Sequence, residues 1–221
     1  MSIVNYTNNL DKTNLDTYEK ISYEFSETRA YVWKCVKNFT VLINQNNHVL
    51  EIGCGNGKNM EYILKNIDCK MIGVDTCQNF VDMCKDKNLN VFNNNILNLN
   101  FDDNSFDNIL CIAMFHHLLT EEDQKNAMKE ILRVMKPGGF CMITCWSTEQ
   151  PDSNDIKKFK FNEGINIVPW KGRKELNKIR YYYVYSEKMF REFFNQYNKI
   201  KICSIYNEVG NWIILFQKIE I

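Results

Sequence analysis

The sequence predicts an α/β fold: a mostly parallel sheet of seven strands with helices on both faces, ending in an antiparallel hairpin. Three observations carry that expectation. Apolar strand-like runs alternate with helical patterns from Val49 to Cys145, and such alternation builds parallel β-α-β units. The run Gly53-Cys54-Gly55-Asn56-Gly57 follows the first strand directly. Near the C-terminus the alternation stops, and Lys199–Tyr206 and Asn211–Lys218 are joined by Asn207-Glu208-Val209-Gly210 alone, a link short enough to force antiparallel pairing.

Taken in order, Leu15–Phe39 reads as a helix on which Tyr18, Ile21, Phe25, Trp33 and Val36 share a face. Val49–Ile52 is the first strand, followed by the glycine run and a helix over Asn59–Asn66. Lys70–Val74 is a second strand ending in Asp75, and Asn79–Lys87 a helix with Phe80, Val81 and Cys84 on one side. Asn90–Asn93 is a short third strand. Phe106–Ala113 is apolar apart from Asp107 and Asn108, as a strand covered on both faces should be. Thr120 and Asp123 form an N-terminal cap for a helix whose Ala127, Met128, Ile131, Leu132 and Met135 repeat at helical spacing, and Pro137-Gly138-Gly139 is read as its stop. Phe140–Cys145 is the fifth strand. Residues 151–180 show no periodicity, and a stretch of that length is functional or unstructured. Ser186 caps a helix that reaches Tyr197, and the hairpin closes the chain.

A length of 221 residues fits one domain over 1–221, with a helical lid at 15–40 and a basic insertion at 151–185. No apolar run is long enough to span a bilayer, and the first residues lack the basic and apolar regions of a secretory signal. Nine cysteines without a Cys-x-x-Cys pair read as reduced thiols of a cytoplasmic protein, and no metal site is expected. Net charge is zero, but residues 157–180 hold eight basic and two acidic residues, so that window is +6 and the remainder −6. Such a run is a solvated loop or a contact for a phosphate backbone.

The glycines permit positive φ and close approach of backbone to a nucleotide-like ligand. A dinucleotide fingerprint would place its third glycine at Lys58, which it does not. Asp75, at the end of the second strand, is placed to accept ribose hydroxyls or to cap a helix. Glu51, an acid inside an apolar strand beside the loop, suits a ligand with a cationic end, or pins the loop by accepting N–H bonds.

Glu51-Ile-Gly-Cys-Gly-Asn-Gly57, Gly73-Val-Asp75, Ser105-Phe-Asp107 and Leu132-Arg-Val-Met-Lys-Pro-Gly-Gly139 resemble the successive motifs of the Rossmann-fold S-adenosylmethionine methyltransferases. Ile21–Arg29 with Trp33, Ile112-Ala-Met-Phe-His-His-Leu118, Cys145-Trp-Ser-Thr-Glu-Gln150, Val168-Pro-Trp170, Arg180-Tyr-Tyr182 and Gly210-Asn-Trp212 are similar to the eukaryotic tRNA methyltransferases that esterify 5-carboxymethyluridine at the wobble position. The similarity runs from about Tyr18 to Lys218. It implies a Rossmann-like fold and S-adenosylmethionine held by Glu51, Gly53, Cys54, Gly55, Gly57, Asp75, Thr76, Asn95, Ile96 and Ile112. It implies a catalytic set of His116, Arg29, Arg180 and Tyr181, of which the arginines suit a carboxylate acceptor. Trp33, Trp146 and Trp170 could stack on a splayed base. The implied partners are the tRNA anticodon loop and a small zinc-binding activator at the sheet edge near Leu89–Phe92. Three departures stand out: Asn95 replaces the family's Asp, Asn100 its proline before Phe101, and Tyr183 its His. A small-molecule O- or N-methyltransferase and a catalytically silent RNA-binding or scaffold subunit are the alternatives.

Overall fold

The computed structural model describes residues 3–151, 160–172 and 178–220, with side chains from residue 10 onward. Among the described residues six α-helices and nine strands follow one another: α1 (Ile3–Glu27), α2 (Lys34–Phe39), β1 (His48–Ile52), α3 (Lys58–Asn66), β2 (Lys70–Asp75), α4 (Gln78–Asp86), β3 (Val91–Asn93), β4 (Phe106–Cys111), α5 (Glu121–Val134), β5 (Met135–Trp146), β6 (Gly164–Trp170), β7 (Lys178–Val184), α6 (Glu187–Asn195), β8 (Ile200–Glu208) and β9 (Asn211–Lys218). The main sheet has the order β3-β2-β1-β4-β5-β9-β8. Its first five strands are parallel, and β9 runs antiparallel to both β5 and β8. Strand order therefore reverses between β1 and β4, and the crevice beyond their carboxyl ends is where open α/β sheets bind ligands.

The period of two along β1 splits the core into two layers. Leu50 and Ile52 join Ile109, Met128, Ile131, Phe190 and Phe216 on one face. Val49 joins Val36, Met60, Ile63, Val81 and Leu110 on the other. Glu51 shares the second face and is 1% exposed, a carboxyl inside an apolar layer.

Two expectations fail locally, and a part of the insertion, whose order the sequence left open, is regular. The N-terminal helix does not run to Phe39. It ends at Glu27, where the Thr28 hydroxyl and amide both donate to the Phe25 carbonyl and the Arg29 amide donates to Ser26. Threonine back-bonding of this kind competes with helix continuation, and the break turns Arg29 and Trp33 toward the sheet. Pro137-Gly138-Gly139 is not the helix stop. α5 ends at Val134, and the segment lies inside β5 as a bulge, between the pairs Phe106–Met135 and Asn108–Phe140. Asp107 anchors that bulge by accepting Lys136 Nζ at 2.8 Å and the His48 amide at 2.8 Å. The insertion is not structureless: β6 and β7 pair antiparallel from Gly164–Val184 to Trp170–Lys178 as a separate ribbon. Lys157, Lys158, Arg173 and Lys174 of the basic window lie outside the described residues.

Caps follow the expectation. The Asp123 amide donates to Thr120 Oγ1 at 3.0 Å, and Ser186 Oγ accepts from Met189 at the start of α6. Among the described residues no helix is long and apolar enough to cross a membrane.

Candidate functional site

A cavity of about 460 Å³ opens at the β1/β4 switch point. The loop after β1 forms its floor. Gly53, Gly55 and Gly57 all take positive φ, and the amides of Gly53 and Cys54 donate to the Val74 carbonyl at 2.8 and 3.0 Å. Each glycine answers a different need. A Cβ on Gly53 would lie 2.4 Å from Met114 Cγ, and one on Gly57 would lie 2.4 Å from Leu89 Cδ1; one on Gly55 would meet open space. Gly57 is accordingly structural: it starts α3 and stands apart from the cavity wall, to which Gly53, Cys54 and Gly55 all contribute.

Two carboxyls face this loop in different states of satisfaction. Asp75 accepts the Gly55 amide through Oδ2 and the Cys77 amide through Oδ1, both at 2.9 Å. It thereby clamps the glycine loop to the start of α4. Burial still outweighs these bonds and pushes its carboxyl up to about 6. Glu51 Oε1 accepts from Asn59 Nδ2 at 2.7 Å, but Oε2 is buried without a partner. Desolvation, helped by the Asp75 charge, pushes Glu51 up to about 8. An orphaned acidic oxygen at a cavity wall fits a cationic ligand group, and the open space at Gly55 fits a ligand pressed against backbone. The cavity volume also suits a nucleoside-sized molecule.

Thr76, Asn95, Ile96 and Ile112 line the same cavity. Asn95 Oδ1 is already engaged, accepting the Leu97 amide at 3.0 Å, so it shapes the loop as well as facing the cavity.

The remaining wall is α1, and sequence reasoning did not foresee how it is tied down. Asn14 clasps the free edge of β7: its Nδ2 donates to the Tyr181 carbonyl at 2.9 Å and its Oδ1 accepts the Tyr181 amide at 2.7 Å. The carboxamide thus reproduces both bonds of a neighbouring strand. Thr17 Oγ1 donates to the Ile179 carbonyl at 3.0 Å. Glu19 accepts the Gln78 amide at 2.6 Å at the start of α4, and Asn56 of the glycine loop donates to Ser26 Oγ at 2.9 Å. Trp170 Nε1 donates to Glu24 at 3.1 Å. The available signal was polar Asn14 and Thr17 on the same side of the helix as Tyr18 and Ile21.

The expected catalytic group divides. Arg29 lines the cavity, with its guanidinium 4.1 Å from the centre of the Phe25 ring. His116 does not line it; it is 2% exposed and packed among His117, Trp146 and Tyr182. The histidine in the wall is His117, because the 3₁₀ turn Phe115–His117 presents its last residue. His117 Nε2 lies 3.3 Å from the Tyr18 hydroxyl, which lies 3.0 Å from the Tyr182 hydroxyl. Arg180 sits behind this group, 6% exposed, over the rings of Trp170 and Tyr182 at 5.1 and 5.2 Å, with Nε unpartnered. Tyr181 does not join it, because strand alternation turns it to the opposite face and brings Tyr182 beside Arg180 instead. Burial, then the Arg180 charge, pushes His117 down to about 3, and burial and its cationic neighbours lower His116 as well. Both imidazoles are neutral. Trp33 reaches the cavity, whereas Trp146 packs on Phe161 and Tyr182. Among the described residues no three His, Cys, Asp or Glu side chains converge to hold a metal.

Residues 50–143 match the methyltransferase domain family. An Arabidopsis thaliana tRNA (carboxymethyluridine(34)-5-O)-methyltransferase is 36% identical over 70% of this chain and 38% of its own length. The Saccharomyces cerevisiae enzyme of the same name is 30% identical over 69% of this chain and 54% of its own length. The chain therefore spans about half or less of these relatives. Two solved structures share the fold. One is a Haloferax volcanii methyltransferase in complex with the Trm112 methyltransferase activator, at a TM-score of 0.72, 14% identity and coverage of 94% of this chain and 98% of that one. The other is an S-adenosylmethionine-dependent methyltransferase from Aquifex aeolicus, at 0.61, 20% identity and coverage of 87% and 93%. Residues 50–143 thus belong to the methyltransferase domain family, on a sheet whose fold is shared with solved S-adenosylmethionine-dependent methyltransferases, and the chain is a relative of the tRNA (carboxymethyluridine(34)-5-O)-methyltransferases.

Proposed function

We propose that this chain methylates the carboxylate of 5-carboxymethyluridine at the tRNA wobble position, forming the methyl ester. The observation that carries this reading is Arg180: a buried guanidinium with an unpartnered Nε, beside neutral histidines and one layer behind a cavity that Arg29 also lines. Buried charge without a counter-ion is costly, and an anionic acceptor supplies one. S-adenosylmethionine, when bound, supplies a methyl group on a positively charged sulfur. Glu51, the loop from Gly53 to Gly55, Asp75, Thr76, Asn95, Ile96 and Ile112 would hold it.

A carboxylate with an ordinary pKa of about 4 is ionised at neutral pH and needs no general base. The residues' work is therefore positional. Arg29, in the cavity wall, orients the acceptor oxygens, Arg180 adds positive charge from one layer behind, and the Tyr18 hydroxyl, itself bonded to that of Tyr182, holds His117 as a neutral partner. α1 excludes water from above. In this reading His117 and Tyr182 take over the roles that the motif comparison gave to His116 and Tyr181.

The tRNA would approach over the β6–β7 ribbon, where Lys160, Lys171 and Lys178 stand among the described residues. An activator would sit on β3, which among the described residues pairs only with β2 and exposes 47% of Phe92; an open apolar edge calls for a cover. The relative solved with an activator supports that reading. The expected compartment is the cytoplasm, and the expected organisation is one domain with 151–185 as its substrate-facing part.

The test is nucleoside mass spectrometry of tRNA carrying carboxymethyluridine, incubated with the chain, an activator and S-adenosylmethionine. Appearance of the methyl ester is expected. Failure to form it, with transfer to a small carboxylic acid instead, would establish the small-molecule alternative. Donor binding absent with activator present would establish a silent subunit.

A further inference from the structure

We propose that binding of the methyl donor expels one proton from Glu51, so that donor affinity is coupled to pH through this single buried carboxyl. The inference rests on the donor assignment above. It starts from the accounting of Glu51's oxygens. Oε1 has one neutral donor, Asn59 Nδ2 at 2.7 Å; Oε2 has none, and the side chain is walled off from solvent.

Of the acidic groups around it, Asp75 carries a charge that opposes its own, while the Cys54 and Cys111 thiols stay protonated. Asp75 faces it from β2, Cys54 from the glycine loop and Cys111 from β4. Lys58 and Arg29 line the same cavity, and among the described residues neither forms an ion pair with Glu51. Asp75 differs in having an amide N–H on each oxygen, which favours its ionised form. The geometry therefore favours a proton on Glu51, the carboxyl that lacks donors, over one on Asp75. The upward shift of Glu51 to about 8 and of Asp75 to about 6 agrees with that order.

A donor with a cationic amino-acid end supplies the counter-ion that the fold withholds. Glu51 then ionises, the O–H bond breaks, and the proton passes to buffer. Linkage makes the sign definite: affinity rises with pH by up to about tenfold per unit between about 6 and about 8, then levels off.

Isothermal titration calorimetry of the full chain with S-adenosylmethionine at pH 7, in two buffers of different ionisation enthalpy, reads the proton directly. About one proton released per donor bound is expected. 5′-Methylthioadenosine, which lacks the cationic end, should release none. Glu51→Gln should bind the donor without release and with affinity flat from pH 6 to 8. Because that variant could misfold, infrared difference spectra of the unaltered chain give a second readout: a protonated carboxyl band should vanish on donor binding. Equal binding heats in the two buffers, or an unchanged carboxyl band, overturns the inference while leaving the donor assignment intact. No donor binding at any pH overturns both.

Discussion

Replacing Asn14 with leucine removes both arms of the clasp on β7 and keeps the side chain's size. Asn14 is 5% exposed, so water does not replace the lost bonds while α1 stays in place. Two hydrogen bonds contribute about 1 kcal/mol each, and stranding the Tyr181 N–H and C=O beside a leucine adds about 1–2 kcal/mol. The docked position of α1 should therefore weaken by about 3–4 kcal/mol, which is about a hundredfold to a thousandfold in its opening equilibrium. The remaining ties, Thr17 to Ile179 and Glu19 to α4, are separate bonds and stay intact. Amide hydrogen exchange should show lost protection across Tyr18–Glu27 with β1, β4 and β5 unchanged. Donor affinity should fall too, because Tyr18 and Phe25 leave the cavity wall. A folded Asn14→Leu chain whose α1 protection stays within threefold of the original would refute the reasoning.

Gly53→Ala should abolish donor binding while leaving circular dichroism unchanged, because the new Cβ would strike Met114 and the residue holds φ +71°; donor affinity within twofold of the original would contradict this. Arg180→Lys keeps the charge but loses the flat guanidinium between Trp170 and Tyr182, so kcat/KM for tRNA should drop by roughly a hundredfold with donor Kd unchanged, checked by steady-state kinetics and calorimetry. The donor-free chain should lose stability as pH rises from 4.5 to about 8, since folded Glu51 keeps a proton that the unfolded chain releases. The slope is up to about 1.4 kcal/mol per unit, Asp75 adds in the same direction, and Glu51→Gln should flatten much of it in urea titrations. Thr120→Ala should cost about 1 kcal/mol by removing the cap on α5, read as a lower Tm.

The parallel strands were legible because burial on both faces leaves a continuous apolar run, as in Ile109–Ala113, and the glycine loop because its spacing has few structural explanations. The break after Glu27 was not legible: apolar spacing continues through Trp33 and Val36, and only Thr28's choice of the Phe25 carbonyl ends the helix. The β6–β7 ribbon escaped because β6 exposes Ile165 and Ile167, and because the buried stripe of β7, Arg180, Tyr182 and Val184, begins with a charged residue. The choice between His116 and His117 depends on the phase of a three-residue turn, and that between Tyr181 and Tyr182 on strand phase. Asn14 was beyond reach, since its partner lies 167 residues away in sequence.

The same carboxamide has a consequence for solubility. A ribbon of two strands ends in a row of free N–H and C=O groups able to recruit a strand from another molecule. Asn14 and Thr17 occupy three of those groups on β7, and α1 covers them. Each time α1 lifts, that edge is bare, with Ile165 and Ile167 on the strand alongside. Crowding, heat or a mutation that frees α1 therefore invites strand-to-strand polymerisation of the chain, and whatever keeps α1 seated also works against aggregation.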